Sequence, residues 1–82
     1  MTAVVIYCRP DCHLCDEMKA VVARVARTVP LEVSEIDISG DPDLERRFGL
    51  EIPVLMVDGK KAAKYRLTEP DLRRILAGRS TP

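Results

Sequence analysis

The sequence lacks a dominant charge: across 82 residues, thirteen Lys and Arg balance thirteen Asp and Glu. With no net field and no Lys/Arg block, neither nucleic acid nor an anionic membrane surface is an expected partner. It also lacks any apolar run near the ~20 residues of a membrane span. The apolar run at its start is only a handful of residues long, with no basic stretch ahead of it. That does not fit a secretory leader, so the cytoplasm is the expected location. Internal repeats and linkers are absent, and the length suits one small domain, residues 1–82. Nor do the three cysteines form the evenly spread, even-numbered framework of a secreted disulfide protein. They cluster at Cys8, Cys12 and Cys15. Clustering of this kind in a cytosolic chain points to redox chemistry or to a metal.

What is present is ordinary globular material: 46% of residues are hydrophobic, enough for a core. Residues 3–7, Ala-Val-Val-Ile-Tyr, are continuously apolar and predict a strand covered on both faces. From His13 to Val29, Leu14, Met18, Val21, Val22, Val25 and Val29 recur at helical spacing, and Pro30 ends the element. Residues 31–38 read as a second strand. Leu31 and Val33 fall in one phase and Ile36 and Ile38 in the other, which implies a bulge near Ser34-Glu35 or partial cover on both faces. Asp41-Pro42 starts a short helix, with Leu44 and Phe48 inward and Gly49 as its stop. Residues 52–57 make a third strand, and Asp58-Gly59 turns it into a lysine-rich fourth, about residues 61–65. Thr68 caps a last helix that buries Leu72, Ile75 and Leu76 and ends at Gly78, with Leu67 stapled to Leu72. Residues 79–82 read as a frayed tail. The order is β-α-β-α-β-β-α. A helical crossover between the first two strands makes them parallel, so the sheet is mixed, four-stranded and flanked by helices.

The chemistry lies at the first strand-to-helix junction. Cys12 and Cys15, spaced Cys-x-x-Cys, fall on the first turn of a helix. There the leading N–H groups have no internal partner and the helix dipole is positive, a setting that favours the thiolate. Cys15, one turn on, can displace whatever Cys12 captures. Arg9 is a candidate for steering anionic substrates, and His13, beside the nucleophile, is a further candidate. Cys8, Cys12, His13 and Cys15 also offer sulfur and nitrogen donors for zinc or an iron–sulfur cluster. No second cysteine pair follows downstream to close a four-thiolate site. A third alternative is a non-catalytic redox-sensing module built on the same cysteines.

The element order, the Cys12-x-x-Cys15 motif after the first strand and Ile52-Pro53 opening the third strand resemble the thioredoxin fold. The small size and Val5-Ile6-Tyr7 leading into the motif resemble a glutaredoxin-like domain more closely. The similarity spans about residues 3–78. It implies an α/β thioredoxin-like fold and a thiol–disulfide oxidoreductase, with Cys12 attacking and Cys15 resolving. It also implies a cis Ile52-Pro53 peptide and a substrate groove shaped by Arg9, Ile52 and Pro53. The sequence departs from the family at His13, where a proline is usual, and at Glu51, where a threonine is usual. A further departure is Tyr65-Arg66-Leu67-Thr68-Glu69-Pro70, where glutathione-using members carry Gly-Gly and acidic residues. Pro70 has no N–H to offer a glutathione carboxylate, and Glu69 adds like charge. The expected substrates are disulfides of proteins or small thiols, with glutathione a candidate substrate or reductant. Electrons would come from a reductase or a low-molecular-weight thiol, no cofactor is required, and a monomer is expected.

Overall fold

The computed structural model describes residues 1–79. The elements are β1 (Thr2–Cys8), α1 (His13–Ala26), β2 (Leu31–Asp37), α2 (Pro42–Phe48), β3 (Val54–Val57), β4 (Lys60–Lys64) and α3 (Glu69–Arg79), in the expected order. The strands form one mixed sheet, ordered β2-β1-β3-β4. β1 pairs parallel with β2, while β3 pairs antiparallel with both β1 and β4.

β1 is apolar from Ala3 to Cys8, as suits a central strand covered on both sides. Val4, Ile6 and Cys8 join the larger core, which α1 and α3 close with Met18, Val22, Val25 and Leu72. Tyr7 turns to the opposite face and stacks on Phe48 of α2, ring centroids 4.5 Å apart. β3 divides in the same way, Leu55 and Val57 to the larger core and Val54 to the α2 side. Fully burying one such aliphatic side chain contributes about 1.5–3 kcal/mol, so these two layers carry the fold. Asp41 caps α2 by accepting from the N–H groups of Asp43 and Leu44, and Thr68 Oγ1 accepts from Asp71 N–H at the start of α3. Asp58 and Gly59 both have positive φ, 48° and 83°, as a type I′ hairpin requires.

Four expectations need correction. Of the two readings of β2, the bulge fails, since the strand stays in register with β1 from Thr2↔Leu31 to Cys8↔Asp37. Partial cover on both faces holds, with Leu31 packed on the larger core and Ile38 on the α2 side. The strand's mixed phase reflects its place at the sheet edge, where residues 32–35 are exposed and Val33 is 40% accessible. The register shift lies between Leu55 and Met56 on β3, opposite β4. α1 ends at Ala26 rather than at Val29. The N–H groups of Thr28 and Val29 turn back to the Val25 carbonyl, and Val29 still packs on the core. β3 begins at Val54 rather than Ile52, since Pro53 has no N–H for the ladder. Gly78 does not stop α3, which continues to Arg79. Of the tail expected at 79–82, Arg79 belongs to α3 and residues 80–82 lie outside the described residues. Among the described residues no helix is long and apolar enough to cross a membrane.

Candidate active site

β1 ends in the core at Cys8, and a turn through Asp11, at φ 61°, leads to Cys12. Cys12 is the N-cap of α1, with extended backbone at φ −95° and ψ 110°. Its Sγ accepts the backbone N–H of Cys15 at 3.3 Å. The sulfur therefore occupies the place that a Ser or Asp oxygen takes at most helix starts, facing the unpaired amides of the first turn. Any negative charge on it would sit at the positive end of the helix.

Cys12 is half-buried; Cys15 has no exposed surface. All three cysteines are free thiols. Burial, then a hydrogen bond to Cys12, pushes the Cys15 thiol up from an ordinary 9.0 to about 12, partly offset by the Arg9 backbone N–H. The pair is asymmetric: one sulfur is open at the helix tip, and the second, on the residue whose backbone N–H the first accepts, is buried with its thiol pushed toward the protonated form. An open sulfur that attacks and a sheltered one that follows are the parts a two-step sulfur exchange uses.

The other sequence-derived candidates fall in different places. Arg9 makes a two-pronged ion pair with Glu45 of α2, Nε to Oε1 at 2.9 Å and Nη2 to Oε2 at 2.8 Å. The pairing raises the Arg9 pKa and lowers that of Glu45. With both prongs engaged, Nη1 is what Arg9 has left to offer a substrate anion. His13 is turned outward, its side chain 88% exposed and Nε2 3.1 Å from Glu17 of the next turn. Ile52 packs on the same core cluster as Cys12, and Pro53, joined to it by a cis peptide, is buried beside it. Cys8 is 4% exposed and forms part of a shallow cavity of about 240 Å³ lined by Arg9, Pro10, Lys19, Glu35 and Asp37. Among the described residues, no three His, Cys, Asp or Glu side chains gather as a metal-ligand set. The donor group of Cys8, Cys12, His13 and Cys15 is split by His13 facing solvent.

Two residues beside the site escape sequence reasoning. Glu45 reads as one more charge on an exposed helix face, and only the fold brings it to Arg9. Tyr65 reads as the end of β4. In the structure it has φ 68°, its hydroxyl donates to the Leu50 carbonyl at 2.9 Å, and its backbone N–H donates to the Pro53 carbonyl at 2.9 Å.

Residues 3–77 match the family model described as Glrx-like: Glutaredoxin-like domain (DUF836). Among solved structures, protein XcR50 from X. campestris is 33% identical, with 92% of this chain and 96% of that one covered and a TM-score of 0.77. Protein Ne2328 from Nitrosomonas europaea is 29% identical, with 90% and 89% covered and a TM-score of 0.79. Chloroplastic thioredoxin z shares the fold at 18% identity and a TM-score of 0.76, with 95% and 77% covered. No curated protein matches the chain.

Proposed function

The chain belongs to the glutaredoxin-like domain family (DUF836), and from that premise we propose that it is a thiol–disulfide oxidoreductase acting through Cys12 and Cys15. The observation that carries the reading is the asymmetric pair: Cys12 Sγ as the cap of α1, and Cys15 buried and hydrogen-bonded to it. In the first step the Cys12 thiolate attacks one sulfur of a substrate disulfide. A Cys12–substrate disulfide forms, and the other substrate sulfur leaves as thiolate and takes up a proton. In the second step Cys15 gives up its proton and attacks Cys12 Sγ. The mixed disulfide breaks, the second substrate thiol departs, and a Cys12–Cys15 disulfide remains. Two electrons have passed from the dithiol to the substrate. A reductase or a low-molecular-weight thiol restores the dithiol, and no cofactor takes part.

The elevated pKa of Cys15 suits its order in this cycle. A protonated, sheltered thiol does not compete for the incoming disulfide, and it acts once the mixed disulfide has formed above it. Ile52 packs on the core cluster that contains Cys15 and that Cys12 also meets. Among the described residues its backbone N–H and C=O make no hydrogen bond, which leaves them for strand-like pairing with a peptide substrate. In this reading Arg9 offers its free Nη1 to an anionic group of the substrate, and the buried Pro53 fixes the backbone of Ile52. The proposed substrates are disulfides of proteins or small thiols, in a reducing compartment such as the cytoplasm, with the chain acting as a monomer. Glutathione is a weaker fit as substrate because Pro70, at the start of α3, offers no N–H to its carboxylate.

The test is stoichiometric. Reduced protein is mixed with a disulfide-linked peptide, and both are resolved by mass. The expected outcome is one peptide disulfide reduced per protein disulfide formed. Cys12→Ser abolishes the reaction, and Cys15→Ser arrests as a peptide adduct on Cys12. A Cys12→Ser protein that reduces the peptide as fast as the natural chain refutes the assignment.

A further inference from the structure

The segment of residues 50–53 links α2 to β3, and its Ile52 packs on the core cluster that Cys12 also meets. Glu51 N–H donates back to the Phe48 carbonyl of α2 at 2.8 Å, and the segment's other polar contacts come from β4 and the residue after it. The Tyr65 hydroxyl donates to the Leu50 carbonyl at 2.9 Å, and the Tyr65 N–H to the Pro53 carbonyl at 2.9 Å. Glu51, between them, is held by ion pairs to Lys61 and Lys64. Lys64 in turn lies over the Tyr65 ring, its Nζ 5.5 Å from the centroid.

Tyr65 makes these contacts from a conformation that a bulky side chain rarely adopts, φ 68°. Strain of this sort persists where surrounding contacts over-determine it and gathers at functional sites. The residue is 43% exposed, so core packing does not explain the side chain. What the residue does accomplish is to fix both ends of a four-residue loop, within which Ile52, packed on the same core cluster as Cys12, keeps backbone groups without a partner among the described residues.

Resting on the oxidoreductase reading, we propose that Tyr65 is a positioning residue for substrate binding: its hydroxyl and its backbone N–H together hold residues 50–53 so that Ile52 can pair with the backbone of a peptide disulfide. A disulfide without a peptide backbone gains nothing from this clamp. The signature is therefore a split between two substrates rather than a general loss of activity.

The experiment compares Tyr65→Phe with the natural chain on a disulfide-linked peptide and on hydroxyethyl disulfide, with thermal melting of both proteins. Removing the hydroxyl should raise KM for the peptide by about three- to tenfold, the range that losing one hydrogen bond supports, with kcat nearly unchanged. Kinetics on hydroxyethyl disulfide should stay at the natural values. Tyr65→Asn, which tolerates positive φ and cannot reach Leu50 as a phenol does, should show the same split. If Tyr65→Phe matches the natural chain on both substrates, or loses activity equally on both, the clamp is refuted and the oxidoreductase reading stands. If the natural chain reduces neither substrate, that reading falls and the clamp falls with it.

Discussion

The most exacting prediction concerns the chemical inequality of Cys12 and Cys15. Cys15 has no exposed surface and its thiol is pushed from 9.0 to about 12. Three pKa units leave it about a thousandfold less thiolate at neutral pH than an ordinary cysteine, and the thiolate is the species that alkylates. Reduced protein pulsed with substoichiometric iodoacetamide at pH 7.5 should carry label at Cys12 and almost none at Cys15 or Cys8. Fragment-ion mass spectrometry separates the three positions. The same shift has a stability consequence. Between about pH 9 and 12, the unfolded chain releases the Cys15 proton while the folded chain keeps it. Folding stability from this group is therefore complete below the unfolded pKa and falls as pH rises toward the folded one, by about 1.4 kcal/mol per pH unit. Urea midpoints of the reduced protein should drop through that window more steeply than those of Cys15→Ala, where the slope from this group vanishes. Cys15 labelled as fast as Cys12, or identical alkaline slopes for the two proteins, would refute the reasoning.

Further outcomes follow from other parts of the molecule. Gly49→Ala places a Cβ 2.4 Å from the Glu45 carbonyl oxygen and 3.0 Å from Arg9 Nη2. Overpacking of this kind costs about 1–3 kcal/mol, and a urea titration should show it. Leu72→Ala removes a fully buried side chain that joins α3 to the sheet and should lower stability by about 2–5 kcal/mol in the same assay. The Arg9 ion pair lowers the Glu45 pKa, so its contribution is present above the ordinary carboxylate range and is lost as pH falls through the depressed value. Melting temperature followed from pH 6 to pH 3 should therefore decline less in Glu45→Gln than in the natural chain.

How much of this could be read from the chain depends on how local each interaction is. The stripe from Leu14 to Val25 and the Asp58-Gly59 turn are set by neighbours a few residues apart, and they appear where the pattern places them. Cys12 and Cys15 are legible for the same reason: three residues and one helix start define their relation. Val33 shows where this reasoning stops. Its apolar character implies burial, yet the order of strands puts β2 at an edge, and strand order is not a local property. Arg9 and Glu45 are 36 positions apart, and nothing in either segment announces the other. Tyr65 and Leu50 are likewise joined only by the return of β4 alongside β3. Helix ends proved soft where a turn, as after Ala26, competes closely with one more helical residue.

The sulfur that caps α1 is also the atom spent in the proposed cycle. Each turnover converts that acceptor into one partner of a covalent S–S bond to the very residue whose amide it serves. The leading turn of the helix thus registers the electron count of the molecule. The Cys15 amide proton, followed by its chemical shift and its rate of exchange with solvent, becomes a built-in gauge of oxidation state that needs no dye and no added substrate.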